Sequence, residues 1–384
     1  MEKDPAKRKR QAELDEKIER YLERLVKEST PLRPIWDREG EKKEAGYNWS
    51  YVSALFLTAL LRLYEKEGTK AYLTFADAFM DAYVTPEGGI HSYRKEDYNL
   101  DSICGGRVLM DLYRLTGKAK YEKAVGLLME QLKEQPRTDS GNFWHKKIYP
   151  HQVWLDGLYM AGPISAEYAF RFHKEEYLNL AIEQALLMEK KTRDEKTGLW
   201  YHAYDCSRKM PWADPETGLS PEFWGRSIGW VPVAVLDELE FVPKNRPEYK
   251  ELGRLVHDLL TAVIRYQDPE SGLWYQVVDK GGQEGNWLET SCSCLFSAAI
   301  AKAVRTGLLD KSNLAYARKG FEGVIDRLKW DGENLLVDNI CIGTGVGDYE
   351  HYCKRPTSTN DLHGMGAFLI MCTEIEEIAK RLNK

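Results

Sequence analysis

Six times along this chain, a segment opens with polar and aromatic residues and then turns apolar around most of a helical circumference. The first two are look-alikes, "YNWSYVSALFLTALLRLYEKEG" from Tyr47 and "YNLDSICGGRVLMDLYRLTG" from Tyr98; the others begin near His151, Phe223, Trp287 and Asn360. A helix that is apolar all round must be covered by protein on both sides. Self-similarity at a recurring interval marks one supersecondary unit used repeatedly, so this pattern limits the fold more tightly than composition does.

Between these segments lie helices of a second kind. In "KAKYEKAVGLLMEQLKEQ", Tyr121, Ala124, Val125, Leu128 and Leu132 recur at helical spacing and leave lysines and glutamates on the other face, as in a surface helix with one buried stripe. Similar stripes fit residues 12–28, 70–83, 175–191, 248–266 and 312–328. Six one-faced helices alternating with six buried ones predict an all-α fold, an (α/α)6 barrel with an inner ring inside an outer ring. No Pro/Ser/Gly-rich linker interrupts it, so one domain over 1–384 is expected.

The remaining composition narrows the function classes. The formal charge of -6 is made of interspersed signs, with no basic block carrying interleaved aromatics, which argues against nucleic acid and anionic membrane as partners. The opening "MEKDPAKRKRQAELDEKIERYLERLV" has no apolar run of signal-peptide length and no later stretch has membrane-spanning length, so a cytoplasmic protein is expected. The 7 cysteines lack CxxC or Cys/His ligand spacing; neither a disulfide framework nor a metal site is expected, and no cofactor. The 11 tryptophans and 22 tyrosines supply rings for flat sugar faces. Monomer and homodimer are both compatible with the sequence.

The loops entering the inner helices repeat as well. "TGLWYHAYD" from Thr197 and "SGLWYQVVD" from Ser271 are near copies, and "SGNFWHKKIY" from Ser140 is a looser third, suggesting short strands or turns at one rim. The fourth residue after each glycine is His145, His202 or Gln276, so three polar side chains should occupy equivalent places. The glycines read as backbone requirements; for the histidines, site and structure are equally open.

The N-terminal ends of the inner helices gather Asn48, Asp101, Asp156, Arg226, Glu289, Asn360 and Asp361. In "HQVWLDGLYM", Asp156 sits among residues that otherwise read as buried, and a buried carboxylate needs a partner or a chemical role. Asp101 and Asp156 follow similar lead-ins, "YNLD" and "VWLD". If both face one cleft, mutual repulsion should raise one pKa and suit it to general acid work; helix capping is the alternative for each. In "FWGRSIGW", Arg226 between Trp224 and Trp230 could fork a carboxylate while a ring stacks on a sugar, or form a surface ion pair on a core helix. Ser358, Thr359, Asn360 and His363 in "RPTSTNDLHGMG" fit caps as well as contacts.

"HQVWLDGLYMA", with "FWHKKIYP" before it and "FWGRSIGW" and "NDLHGMGAFL" after it, closely resembles the unsaturated rhamnogalacturonyl hydrolases of glycoside hydrolase family 105 over nearly the whole chain. The resemblance implies the (α/α)6 barrel, and as substrates short pectin-derived (rhamnogalacturonan) oligosaccharides left by lyases, whose terminal uronic acid carries a C4=C5 double bond. It implies Asp156 as general acid/base and Asp101 as the second carboxylate. It implies substrate contacts at His145, Lys146, His202, Trp224 and Arg226, and, from context, at Tyr51, Asn48, Trp154, Trp230 and Ser358–His363. The implied reaction is hydration of a vinyl ether. Alternatives are an unsaturated glucuronyl hydrolase of family 88, a sugar 2-epimerase using histidines on a similar barrel, and a non-enzymatic sugar-binding protein. The identity of the leaving sugar is set by pocket shape.

Overall fold

The computed structural model describes residues 5–32, 46–332 and 334–382. Residues 1–4, 33–45, 333 and 383–384, part of the expected 1–384 domain, lie outside the described residues. Among the described residues twelve long helices alternate as the sequence predicts. The inner ones are α2 (Tyr51–Glu67), α4 (Gly105–Thr116), α6 (Asp156–Phe172), α8 (Gly225–Glu238), α10 (Thr290–Thr306) and α13 (Leu362–Leu382). The outer ones are α1 (Pro5–Glu28), α3 (Lys70–Tyr83), α5 (Ala119–Glu134), α7 (Glu175–Thr192), α9 (Pro247–Ile264) and α11 (Leu314–Ile325). A short α12 (Tyr349–Cys353) precedes the last inner helix.

Each inner helix packs on the next, and α13 returns to α2, closing the ring of an (α/α)6 barrel. The all-round apolar character of the inner helices follows: every residue of α8 is buried, as is α10 from Thr290 to Val304. On the outer α5, Tyr121, Ala124, Val125, Leu128 and Leu132 are fully buried, the stripe read from spacing.

The inner helices start later than their repeats. The lead-in residues are extended or in short 3-10 turns, and short strands pair at one rim, two of them in the copied loops as the sequence suggests: β1 (Gln152–Trp154) with β2 (Ala203–Asp205), β3 (Trp274–Tyr275) with β4 (Leu288–Glu289), and β7 (Ile340–Cys341) with β8 (Thr357–Ser358). A further hairpin joins β5 (Lys329–Asp331) to β6 (Asn334–Leu336). Among the described residues no helix is long and apolar enough to cross a membrane.

Deeper in the barrel the packing includes an ionic hub. Asp237 at the end of α8 meets Arg62 of α2 at 3.0 Å, Arg107 of α4 at 2.8 Å and Lys302 of α10 at 2.5 Å. Burial opposes the charge, but the three cations hold this carboxyl far below its usual range. One anion thereby ties four of the inner helices.

The repeated rim glycines are backbone requirements: Gly141, Gly198 and Gly272 all have positive φ, at 93°, 74° and 75°. At Gly272 an added Cβ would also lie 2.5 Å from the carbonyl oxygen of Lys319, whereas at Gly282, with φ 76°, it would meet nothing within 4 Å. Gly272→Ala is therefore expected to lower stability by about 2 kcal/mol or more and Gly282→Ala by about 1 kcal/mol, measured as shifts of the urea midpoint at constant slope.

Candidate active site

The rim segments bring residues from distant repeats side by side through one recurring backbone contact. The N–H of Leu100 donates to the carbonyl of His145 at 3.0 Å, that of Leu155 to the carbonyl of His202 at 3.0 Å, and that of Gly225 to the carbonyl of Gln276 at 2.9 Å. The next residue along each inner repeat is Asp101, Asp156 or Arg226. The three equivalent rim positions seen in the sequence are thus the three that face the first polar residue of an inner repeat.

In the first two cases the side chains meet as well: His145 Nε2 lies 3.3 Å from Asp101 Oδ1, and His202 Nε2 lies 3.3 Å from Asp156 Oδ2. What differs is the residue after each histidine. Lys146 sets its ammonium 2.5 Å from Asp101 Oδ2. Its counterpart after His202 is Ala203, which pairs with Trp154 in the antiparallel β1–β2 pair.

The two carboxylates are accordingly unlike. Burial pushes the Asp101 carboxyl up, but Lys146 and His145 outweigh it and hold the group well below the carboxylate range. Burial opposes charge on Lys146 too, and Asp101 more than compensates. Asp156 is also pushed up by burial, and contact with His202 turns the net shift downward. The expected repulsion-driven rise of one pKa is therefore absent, because the histidines, and at Asp101 also Lys146, outweigh the second carboxylate. Burial keeps His202 toward its neutral form, so Asp156 meets an imidazole rather than a firm cation. Asp156 Oδ2 and His202 Nε2 are close but not aligned, and both remain buried without a hydrogen-bond partner among the described residues.

Capping does not explain either aspartate. The turn at Leu100–Ile103 is capped by the Asn99 side chain, and Asp156 is the first residue of α6 with no side-chain cap before it. Capping does explain Glu289, which accepts from the N–H of Cys292 at 2.6 Å. Asn360 is likewise structural, bonded at 2.7 Å to the backbone of Val337 and at 2.7 Å to that of Leu335.

These groups surround a cleft of about 400 Å³. Of the expected site residues, Tyr51, Asp101, His145, Lys146, Trp154, Asp156, Trp224, Arg226 and His363 line it, as does Asn48. His202 lies just beneath, fully buried between Trp154, Trp224 and Tyr352, with ring centroids 5.5, 4.7 and 5.9 Å away. Trp230 is a correction: it is one helical turn past Arg226 and packs on Tyr159 at 4.6 Å in the core, away from the cleft. Gln276 also faces inward, accepting from Trp224 Nε1 at 3.1 Å and donating to the Tyr352 carbonyl at 3.2 Å.

Arg226 is buried and is no surface ion pair. Nη1 donates to the Cys341 carbonyl at 2.5 Å and Nη2 to that of Ile342 at 2.9 Å, while the guanidinium sits 4.7 Å from the Trp224 ring. The segment it anchors runs on into Gly343, Thr344 and Gly345, which form one wall of the cleft together with Arg355. Among the described residues, neither Arg226 nor Arg355 has a carboxylate within ion-pair distance, although burial and charge alike set the cost of leaving them so.

Tyr149, Arg355 and the 343–345 wall were not read from the sequence. Tyr149 stacks on Trp154 at 5.0 Å, and Trp154 on His145 at 4.7 Å, both nearly parallel. The available signals were "KKIYP", next to a copied loop, and the glycine spacing in "CIGTGVGDYEHYC". Asp361, already noted at a helix start, lies 2.5 Å from His363 Nδ1. Among the described residues no group of three His, Cys, Asp or Glu is placed to hold a metal ion.

The pattern that defines Glycosyl Hydrolase Family 88 matches residues 23–379. The chain is 25% identical over 375 residues to the unsaturated rhamnogalacturonyl hydrolase YesR of Bacillus subtilis (strain 168), covering 96% of this chain and 97% of that protein. A solved glycoside hydrolase from family 105 of C. acetobutylicum ATCC 824 superposes with a TM-score of 0.83 at 38% identity, covering 86% of this chain and 94% of that one. A possible family 105 member from Salmonella enterica shares the fold with a TM-score of 0.76 at 23% identity, covering 87% and 84%.

The Lys146–Asp101 pair carries a pH signature. Because the folded Asp101 carboxyl is depressed, its contribution to stability is present above the unfolded value of about 3.9 and is lost as pH falls toward the folded value. Lys146→Met is expected to remove about 2 kcal/mol at neutral pH and to flatten the loss of stability below about pH 4, read from urea unfolding across the acid range.

Proposed function

The chain belongs to Glycosyl Hydrolase Family 88, and on that footing we propose that this hydrolase removes the 4,5-unsaturated uronic acid from the end of lyase-generated oligosaccharides by hydrating its vinyl ether. The observation that carries the reading is the asymmetry of the two duplicated Asp–His pairs: Lys146 fixes Asp101 as an anion, while Asp156, without lysine or arginine at ion-pair distance among the described residues, is left to exchange a proton.

In this reading Asp156 in its protonated form delivers the proton to C4, and the C4=C5 electron pair becomes the new C–H bond. The positive charge left at C5 is shared with the ring oxygen. Asp156, now a carboxylate, takes a proton from a water whose oxygen bonds to C5. The acid is thereby regenerated, and the hemiketal opens and releases the leaving sugar. No enzyme nucleophile at the anomeric carbon is required, so the carboxylate-spacing rule of ordinary glycosidases does not bear on the reaction. Asp101, held by Lys146, orients sugar hydroxyls. Arg226 and Arg355 supply the positive charge that the uronate carboxylate needs, and the Trp154 and Trp224 rings offer faces for the sugar.

Rhamnogalacturonan fragments are the substrate favoured here, supported by the family 105 resemblance and by the likeness to YesR along the chain's length. The family 88 match keeps unsaturated glucuronyl fragments as the second reading. The conjugated uronate absorbs in the ultraviolet and loses that absorbance on hydration. Wild type is expected to bleach unsaturated rhamnogalacturonan disaccharide faster than unsaturated glycosaminoglycan disaccharide, and Asp156→Asn to lose about a thousandfold in kcat with substrate affinity little changed. Faster bleaching of the glycosaminoglycan substrate would select the second reading, and no bleaching of either would reject both.

A pH consequence follows from Asp156. The acid must be protonated at the start, so rate falls as pH rises through its pKa. Substrate expels water and brings its own carboxylate, both of which raise that pKa. The basic limb of kcat, which reports the complex, is expected at higher pH than that of kcat/KM, which reports the free enzyme; coincident limbs would contradict the assignment.

A further inference from the structure

Behind the Asp156–His202 pair stands a residue that the chemistry above does not use. Tyr352, on the short helix α12, is fully buried, and its hydroxyl lies 2.6 Å from His202 Nδ1. The same hydroxyl oxygen accepts the backbone N–H of Gly347 at 3.3 Å. A phenol carries one proton, and a buried hydroxyl proton needs an acceptor. With Gly347 already donating to the oxygen, Nδ1 is the acceptor within hydrogen-bond reach among the described residues. The imidazole proton then resides on Nε2, the nitrogen 3.3 Å from Asp156 Oδ2.

We propose that Tyr352 is a positioning residue: it fixes the Nε2–H tautomer of His202 and so keeps the ring proton on the nitrogen nearest Asp156. The orphaned state of His202 Nε2 and Asp156 Oδ2 fits this role, since apo contacts of this kind tighten once substrate seats the carboxyl group. The N–H stabilises the carboxylate that appears when the proton leaves for carbon, and it costs no reorganisation at that moment. Three features hold the device in place. Gln276 donates to the Tyr352 carbonyl at 3.2 Å, the Trp224 ring stacks on Tyr352 at 5.9 Å, and burial keeps the phenol protonated by pushing its pKa well up. Arg226 anchors Cys341 and Ile342 ahead of this segment.

The titration of Asp156 senses several other groups, which remain unchanged in the test below. They are His145 and Lys146 from the rim loop before β1, Asp101 from the turn before α4, Tyr51 from α2 and Arg226 from α8.

The tautomer can be read without any substrate. In ¹⁵N-histidine-labelled protein, with His202 assigned by its absence in His202→Gln, the wild type is expected to show an unprotonated Nδ1 and a protonated Nε2. Tyr352→Phe should relax it toward a mixture. A wild-type His202 protonated on Nδ1 overturns the proposal, whether or not the variant folds. The kinetic arm rests on the proposed hydrolase activity and uses whichever unsaturated disaccharide wild type consumes. Tyr352→Phe is expected to lower kcat about tenfold, the worth of one hydrogen bond to a charged group, with KM within about twofold. Its kcat/KM basic limb should move to higher pH, because Asp156 loses a partner for its charged form. An unchanged pH profile and kcat in a folded variant would also overturn it. If wild type consumes no unsaturated substrate, the functional reading fails while the tautomer result stands by itself.

Discussion

One backbone hydrogen bond, used three times, determines what this barrel presents at its rim. An N–H just before the first polar residue of an inner repeat donates to the carbonyl of a residue in the following rim loop, at Leu100–His145, Leu155–His202 and Gly225–Gln276. Because the bond is between backbones, it transmits register without caring about side chains. The side chains on either side were then free to diverge, into an aspartate clamped by lysine, an aspartate facing a bare imidazole, and an arginine that braces a wall. Identical placement with unequal surroundings is how a duplicated fold separates roles.

The placement would fail if the inner helices could rotate about their axes, and the Asp237 hub opposes that. Arg107 lies on the same helical run that follows Asp101, and Asp237 on the same helix as Arg226. A buried carboxylate shared by three cations is directional in a way that apolar packing is not, and removing it would strand the buried charge of Arg107, whereas Lys302 would keep Glu240. The hub and the rim thus fix α4 and α8 at two heights.

Much of this was legible in the sequence, for identifiable reasons. The twelve-helix alternation was visible because full burial and one-faced burial leave different periodicities, as in α8 and α5. Asp156 stood out because a carboxylate beside Trp154 and Leu155 violates the local pattern. The strands in the copied loops were legible, as at Ala203–Asp205, but the lead-in at His151 was read as a helix start although Gln152–Trp154 is a strand, because its pairing with Asp205 joins residues too far apart for periodicity to register. Trp230 misled because its neighbour Arg226 faces the cleft, whereas one turn along the helix the same face has passed into the core. The electrostatic difference between Asp101 and Asp156 was written in a single substitution between copies, Lys146 against Ala203, but its meaning required knowing that the copies stand beside the two acids. Tyr352 and Arg355 belong to a segment with no counterpart in the other repeats, so comparison of the chain with itself was silent there.

The ring closes only where α13 meets α2, and the wall containing Gly343, Tyr352 and Arg355 comes from the stretch just ahead of that closure. Asp101, Asp156 and His202 all precede in the chain the residues that form this wall. A nascent chain holding five repeats has the acids but an open seam, with the last inner helix still to dock across the full length of the sequence. The cleft is walled on this side only once that last inner helix has docked.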